Sequence, residues 1–381
     1  MNQRTGLAFF ILGLLICSGA AIAADATKIA ALMTASKDRT QALSQADNET
    51  IDAYLNAAVD ELLVARDVAE AVTVRNQILQ YRGWDENLSL YTRAYLLTVR
   101  KHIKRGLGQV ASWPGADAKL VAQRNLVILA GQLTSVELRE FGLQFLGSPD
   151  TATRYWAVKS LTTPIVTAQI VSASDAELAK GIITALDKVT EKETHPEILR
   201  MIADCAGQMK VPDAVTTLRK VAARRFEAYE KWLARNEIQD AAILRALAQG
   251  IANAASPQEK TLLAQDFGQL YSYVIQRYIL GRDRLDAASV ARLESAILEV
   301  EDKVLPGFLG WTAGPFKEAV ARQDNARLQS EHDALLGSAA KPGLLGAKFS
   351  VKYPTNPSGA TSTGPKPLPP PAKKDETPKQ P

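Results

Sequence analysis

The chain has few of the residues that usually mark a chemical site. Among 381 residues there are two cysteines, Cys17 and Cys205, and three histidines, His102, His195 and His332. The histidines are far apart, and none belongs to a His-Glu-x-x-His or comparable ligand spacing, so no metal motif is readable. Gly106-Leu107-Gly108 lacks the remainder of a phosphate-loop fingerprint, and no serine stands in a Gly-x-Ser-x-Gly elbow. Carboxylate pairs such as Asp60-Glu61 and Glu301-Asp302 read as ordinary helix-surface charges. No cofactor is expected, and a catalytic function has no motif to stand on. Strand-like alternation is also scarce, whereas Ala, Leu, Gln, Arg and Glu are abundant, which favours helix over sheet.

No apolar run reaches the ~20 residues a spanning helix needs. The one at the N-terminus, Leu7 to Cys17, follows the positive Arg4 and precedes Ala21-Ile22-Ala23. This is the order of a signal peptide over 1–23, so the expectation is an exported protein, periplasmic or secreted, with no transmembrane segment once the signal is cleaved. A lipoprotein anchored through Cys17 is the lesser alternative, because Ile16 stands where a small residue is wanted. Cleavage leaves Cys205 alone, which excludes an intramolecular disulfide. Within Ile202-Ala203-Asp204-Cys205-Ala206 that cysteine reads as a small buried hydrophobe.

The net charge of +4 is unevenly held. From Lys341 onward seven lysines face Asp375 and Glu376, which makes this end +5, so with Arg4 also removed the body over 24–340 carries −2. Such a body is not a basic nucleic-acid binder, and no nucleic acid is expected as partner. The same end holds ten of the eighteen prolines, with the densest run at Lys366-Pro367-Leu368-Pro369-Pro370-Pro371. Residues 341–381 are therefore expected to form a disordered Pro/Lys-rich tail with polyproline II character. Leu344, Leu345, Phe349, Val351 and Tyr353 are positioned to pack back before it begins.

Helical periodicity covers most of the rest. Ile51, Leu55, Val59, Leu62, Leu63 and Val72 predict one long helix from Glu49 to Tyr81, stopped at Gly83. A helix capped by Asp85 follows, ending in Arg100-Lys101-His102-Ile103-Lys104-Arg105, which reads as a solvated cationic last turn rather than an anion site. Thr134-x-x-Glu137, Ser174-x-x-Glu177, Thr194-x-x-Glu197 and Ser256-x-x-Glu259 fit capping boxes, and Pro149, Pro196 and Pro257 lie near helix starts. Long helices are expected at 215–235, at 258–280 and from Asp286.

The middle of the chain carries a resemblance. Asp150-x-x-x-Arg154-x-x-Ala157-x-x-x-Leu161 resembles the second-helix signature of HEAT repeats. Leu199-Arg200-x-x-Ala203 and Leu244-Arg245-x-x-Ala248 are weaker copies. Arg154, Arg200 and Arg245 are spaced within the ~40 to 47 residues of such units. The resemblance implies an all-α fold, an α-α superhelix or HEAT-like solenoid, in which Asp150, Arg154, Arg200 and Arg245 join units while Ala157 and Ala203 face the core. The expected organisation is an N-terminal helical region over 24–133, HEAT-like repeats over 134–253, long helices over 254–340, and the tail.

Such a fold offers a surface more often than a pocket. The best candidate surface is the 215–235 helix, where Lys220, Arg224, Lys231 and Arg235 surround Trp232, since Trp and Arg concentrate binding energy. The expected function is a non-catalytic scaffold binding a protein or an anionic envelope polymer. The alternative is an enzyme or enzyme-maturation factor using a groove of the solenoid.

Overall fold

A computed structural model describes residues 26–37, 40–83, 89–354 and 360–371. The described chain is all-α apart from one two-stranded ribbon, and it divides at Leu161–Thr162 into two compact units. That division falls inside the expected repeat block over 134–253. Just past it stands Thr163-Pro164, where the Thr163 hydroxyl accepts from Val166 N and the proline ring suits a first helical position, so a new helix starts at once. No described helix is long and apolar enough to cross a membrane. The expected signal segment, 1–23, and Asp85 lie outside the described residues.

The first unit comprises α1 (26–35), α2 (Gln45–Val64), α3 (Val68–Gln80), α4 (Leu90–Ala111), α5 (Ala116–Gln132), a 3-10 turn (Val136–Leu138), α6 (Arg139–Phe145) and α7 (Thr151–Thr162). The single helix expected from Glu49 to Tyr81 is two. Asp67 accepts from Glu70 N at 2.8 Å and Glu70 accepts from Arg66 N at 2.8 Å, and this local exchange restarts the chain as α3. Around Ile51, Leu55, Val59, Tyr95, Val99, Ile103 and Leu126 the helices share one apolar core. The cationic run is not a solvated last turn, because α4 continues through Gly106, which packs closely against Val59, Leu63 and Leu126. Arg100 forks onto Glu140, Lys101 and His102 meet Asp52, and Arg105 meets Asp60.

The second unit comprises α8 (Pro164–Ser172), α9 (Ala176–Thr190), α10 (Pro196–Gln208), α11 (Pro212–Glu230), α12 (Gln239–Asn253), α13 (Pro257–Gly281), α14 (Ala287–Lys303), α15 (Leu305–Leu309), α16 (Pro315–Ala321), α17 (Asn325–Leu336) and α18 (Leu344–Phe349). A short antiparallel ribbon pairs β1 (Tyr353–Pro354) with β2 (Thr361–Ser362). Packing alternates: α9 lies against α11 and α11 against α13, while α10 lies against α12 and α12 against α14. Gly207 lets α10 touch the backbone of α12, since an added Cβ would come within 2.7 Å of the Ala246 carbonyl. Cys205 is buried, and burial pushes its thiol up to about 12, which leaves it an inert packing residue.

Of the four expected capping boxes, Ser256–Glu259 is complete. At the other three the cap shifts by one residue, to Ser135, Asp175 and His195, the first two following Thr134 and Ser174 in left-handed backbone. Glu301 is not a surface charge. It is fully buried and accepts from Gly314 N, Phe316 N and Lys317 N at 2.8 to 3.0 Å, tying α14 to the start of α16.

The expectation of disorder from Lys341 does not hold for 341–354 and 360–371. Val351, Tyr353 and Leu368 are buried, and residues 337–343 and 363–364 cross at backbone contact where Gly337, Gly343 and Gly364 have no space for a Cβ. Local composition is too polar and Pro-rich for a core of its own, but α13 supplies one. Residues 372–381 lie outside the described residues.

Candidate functional site

The repeat-signature residues take different local roles. Asp150 is bound by Arg124 through two hydrogen bonds, 3.0 and 3.1 Å, and accepts from both the amide and the hydroxyl of Thr153. Arg154 turns back to the carbonyls of Ser148 and Pro149. In the second unit Arg200 binds Asp204 within α10 at 2.6 Å, and Arg245 approaches the same carboxylate from α12 at 3.9 Å and Glu299 of α14 at 3.7 Å. Burial raises the Asp204 carboxyl, against the pull of these two guanidinium groups. Ala157 and Ala203 are buried as expected. Arg245 also lines an open hollow of about 500 Å³ with Lys260, Lys303, Phe308 and Phe349.

The expected surface on 215–235 is not one helical stripe. Helix α11 ends at Glu230, and Trp232 follows in left-handed backbone at φ +57°. The Trp232 amide donates to Tyr229 O at 2.9 Å and the Leu233 amide to Ala228 O at 2.8 Å, the paired bonds of a Schellman cap with tryptophan where glycine is usual. Trp232 and Arg235 therefore sit in a connection, 231–238, which carries a second left-handed residue at Asn236. Lys220 is drawn to Asp187 at 2.6 Å and Glu191 at 3.2 Å, and Arg224 to Thr190 O, Glu191 O and Glu227. These two join α11 to α9 and its C-terminal end. Lys231 and Arg235 are exposed.

Beneath the connection lies a buried charge cluster that the sequence reading did not find. Arg225, 1 % exposed, donates to both oxygens of Asp240 at 2.6 and 2.7 Å, and Tyr229 donates to Asp240 at 2.6 Å. Burial opposes the Arg225 charge, but Asp240 reverses this and holds the guanidinium above its ordinary range. Arg277 of α13 donates to Ala234 O at 3.0 Å and lies 3.6 Å from the fully buried Glu237, which Arg292 of α14 binds at 2.9 Å. The Arg277 guanidinium lies 5.7 Å from the Tyr229 ring centre and 5.2 Å from that of Trp232. Burial lowers its affinity for the proton. The signal was present in spacing: Val221, Ala222, Arg225 and Tyr229 fall on one helix face, so an arginine at 225 enters the core and requires a buried acid.

Trp232 is covered by the C-terminal segment. Its indole N–H donates to Pro369 O at 2.8 Å. Gln269 on α13 clasps Lys366 by both backbone groups, its carbonyl accepting from Lys366 N at 2.9 Å and its amide donating to Lys366 O at 3.1 Å. Two turns further along α13, Gln276 accepts from Leu368 N at 2.6 Å. The Lys366 ammonium reaches Glu230 at 3.0 Å, where Tyr273 also donates at 2.7 Å. Burial works against ionised Glu230, yet these two donors keep its carboxyl below the ordinary value.

Gln276 also donates to Ser272 Oγ at 2.6 Å, and Ser272 lies 2.8 Å from His332 Nε2, whose Nδ1 is 2.8 Å from Asp333. Burial lowers the His332 pKa, against the pull of Asp333. A neutral ring with Nδ1–H toward Asp333 leaves Nε2 to accept from Ser272, whose oxygen accepts from Gln276. The distances are those of a nucleophile, base and acid. Ser272, however, is sealed in mid-helix, where the surrounding amides are committed to α13 and none is free to stabilise an oxyanion. The relay orients Gln276 toward Leu368. Among the described residues no three or more His, Cys, Asp or Glu groups converge as metal ligands. No protein-family model matches this chain, and no curated protein matches it either.

Proposed function

We propose that the chain is an exported, non-catalytic helical-repeat scaffold that binds a protein or an anionic envelope polymer through its second unit. The observation that carries this reading is the alternation of α9, α11 and α13 with α10, α12 and α14. Helix pairs that pack only on their neighbours in this way build HEAT-like solenoids, whose extended faces serve as binding surfaces. The spacing of Arg154, Arg200 and Arg245 supports the same assignment, and the Arg4 to Ala23 pattern supports export. Co-purification of the intact chain and of a chain ending at Pro371 from the cell envelope tests it. The scaffold reading expects a captured partner, and a tail-dependent shift between soluble and envelope fractions. Identical soluble fractionation without a partner rejects it.

The alternative, an enzyme, is favoured only by the Ser272, His332 and Asp333 distances. Covalent labelling of Ser272 by a serine-directed fluorophosphonate, lost in Ser272→Ala, would establish that reading instead.

A further inference from the structure

The segment 365–371 contains five prolines, so its only backbone N–H groups are those of Lys366 and Leu368. Both are taken by glutamine side chains of α13, and the carbonyls of Lys366 and Pro369 are taken by Gln269 and Trp232. Leu368 is 4 % exposed, while Lys366 points its ammonium to Glu230 at the rim. Side-chain amides and an indole gripping an extended backbone, one apolar anchor and one charge pair are the contacts by which proline-rich peptides are read. They contrast with the segment just upstream, where Gly364 crosses residues 337–338 at backbone contact and Thr363 Oγ1 donates to Ser338 O at 2.7 Å. Gly364 is therefore a fixed anchor, and 365–371 are held by groups that any similar peptide could engage. The trough is maintained at a cost, since Trp232 adopts a left-handed backbone that side chains avoid.

We propose that the trough formed by Trp232, Gln269, Gln276 and Glu230 is a recognition site for an extended proline-rich segment of a partner protein. Its pattern is Pro-Lys-Pro-Leu-Pro or a close equivalent, and residues 365–371 occupy the trough in cis. The alternating prolines matter because they leave only the two N–H groups that Gln269 and Gln276 accept. Lysine at the first free position matches Glu230, and leucine at the second fills the buried site. This deepens the scaffold reading and rests on it. The test uses the purified chain alone, so its failure is distinguishable from failure to capture a partner in the envelope.

The test is fluorescence anisotropy of a labelled synthetic peptide, Thr-Gly-Pro-Lys-Pro-Leu-Pro-Pro-Pro, with full-length chains. Wild type is compared with Leu368→Asp, which weakens the cis segment, and with Leu368→Asp carrying Gln269→Ala and Trp232→Ala. Tethering presents the cis segment at effective concentrations of millimolar order, so a peptide with an affinity of about 10 µM should bind wild type roughly a hundredfold more weakly than Leu368→Asp. The triple variant should bind it no better than a scrambled peptide. Equal binding to all three chains, or none to a Leu368→Asp chain that keeps its circular dichroism and melting temperature, overturns the proposal. Hydrogen exchange on wild type covers the case in which Leu368→Asp fails to fold. The amides of Lys366 and Leu368 should exchange through an opening far easier than that of Leu270 in α13, and exchange only with global unfolding overturns the proposal. Light scattering that shows dimers abolished by Gln269→Ala would assign the occupant to a second copy of this chain and also overturn it.

Discussion

Replacing Asp240 by alanine should be among the most damaging single changes in the second unit. The substitution leaves the Arg225 guanidinium, 1 % exposed, without the two carboxylate bonds of 2.6 and 2.7 Å that neutralise it. It also removes the acceptor of the Tyr229 hydroxyl. What remains is one hydrogen bond, from Arg225 to Arg235 O at 3.3 Å, and the Tyr229 ring 5.5 Å from the guanidinium. Breaking a buried pair from one side costs about 3–5 kcal/mol, a large share of the ~5–15 kcal/mol that holds a typical domain together. For a unit of this size the melting temperature should fall by roughly 6–20 °C. Differential scanning calorimetry of the full-length chain measures this directly. The decisive comparison is Arg225→Met with Tyr229→Phe and Asp240→Leu together, which removes the charged pair and the hydroxyl bound to it and roughly keeps the volume. If the cost of Asp240→Ala is that of a stranded charge, the triple variant should recover most of the loss. A shift below about 2 °C in the single variant, or a triple variant at least as unstable, would refute the reasoning.

Asp266 offers a pH test. Burial raises its carboxyl to about 6, although Arg219 pulls the other way from 2.9 Å, so the folded chain holds this proton more tightly than the unfolded chain. Its contribution to stability is present below pH ~4 and is lost as pH rises through 6, by at most about 3 kcal/mol. Chemical denaturation between pH 4 and 7 should show this loss in wild type and not in Asp266→Asn. Gly207→Ala should cost about 1–3 kcal/mol by forcing α10 from α12, read as a lowered urea midpoint; no change would mean the helices separate freely. Tyr95→Phe removes the buried hydroxyl's 2.6 Å bond to Ile78 O between α4 and α3. It should cost about 1–2 kcal/mol in the first unit, seen in the thermal transition of that unit.

Much of the fold was legible because its cause is local. Ser256 and Asp286 cap the helices that periodicity placed after them, and Pro196 and Pro257 stand at first helical positions. The break between α2 and α3 was missed because the Asp67 and Glu70 exchange has no apolar signature. The site was legible in one residue and illegible in its meaning. Trp232 drew attention as a binding aromatic, but nothing near it in sequence announces Pro369, which is 137 residues away. A proline-rich composition correctly denies 360–371 a core of its own and is silent about borrowing one from α13. Arg224 stood on the charged face and Arg225 was not singled out, although helical geometry turns the neighbouring position toward the core.

The crossing of Gly364 over residues 337–338 also sets how the chain bears load. On its C-terminal side, 365–371 are held by separate side-chain bonds from Gln269, Gln276, Trp232 and Glu230. At Gly364 the attachment changes, because two backbones lie in contact with no space for a Cβ and the β1–β2 ribbon pairs just upstream. A load on 365–371 would therefore be met bond by bond and one at Gly364 by two backbones together, which makes the three-glycine crossing the firmer anchor of the two.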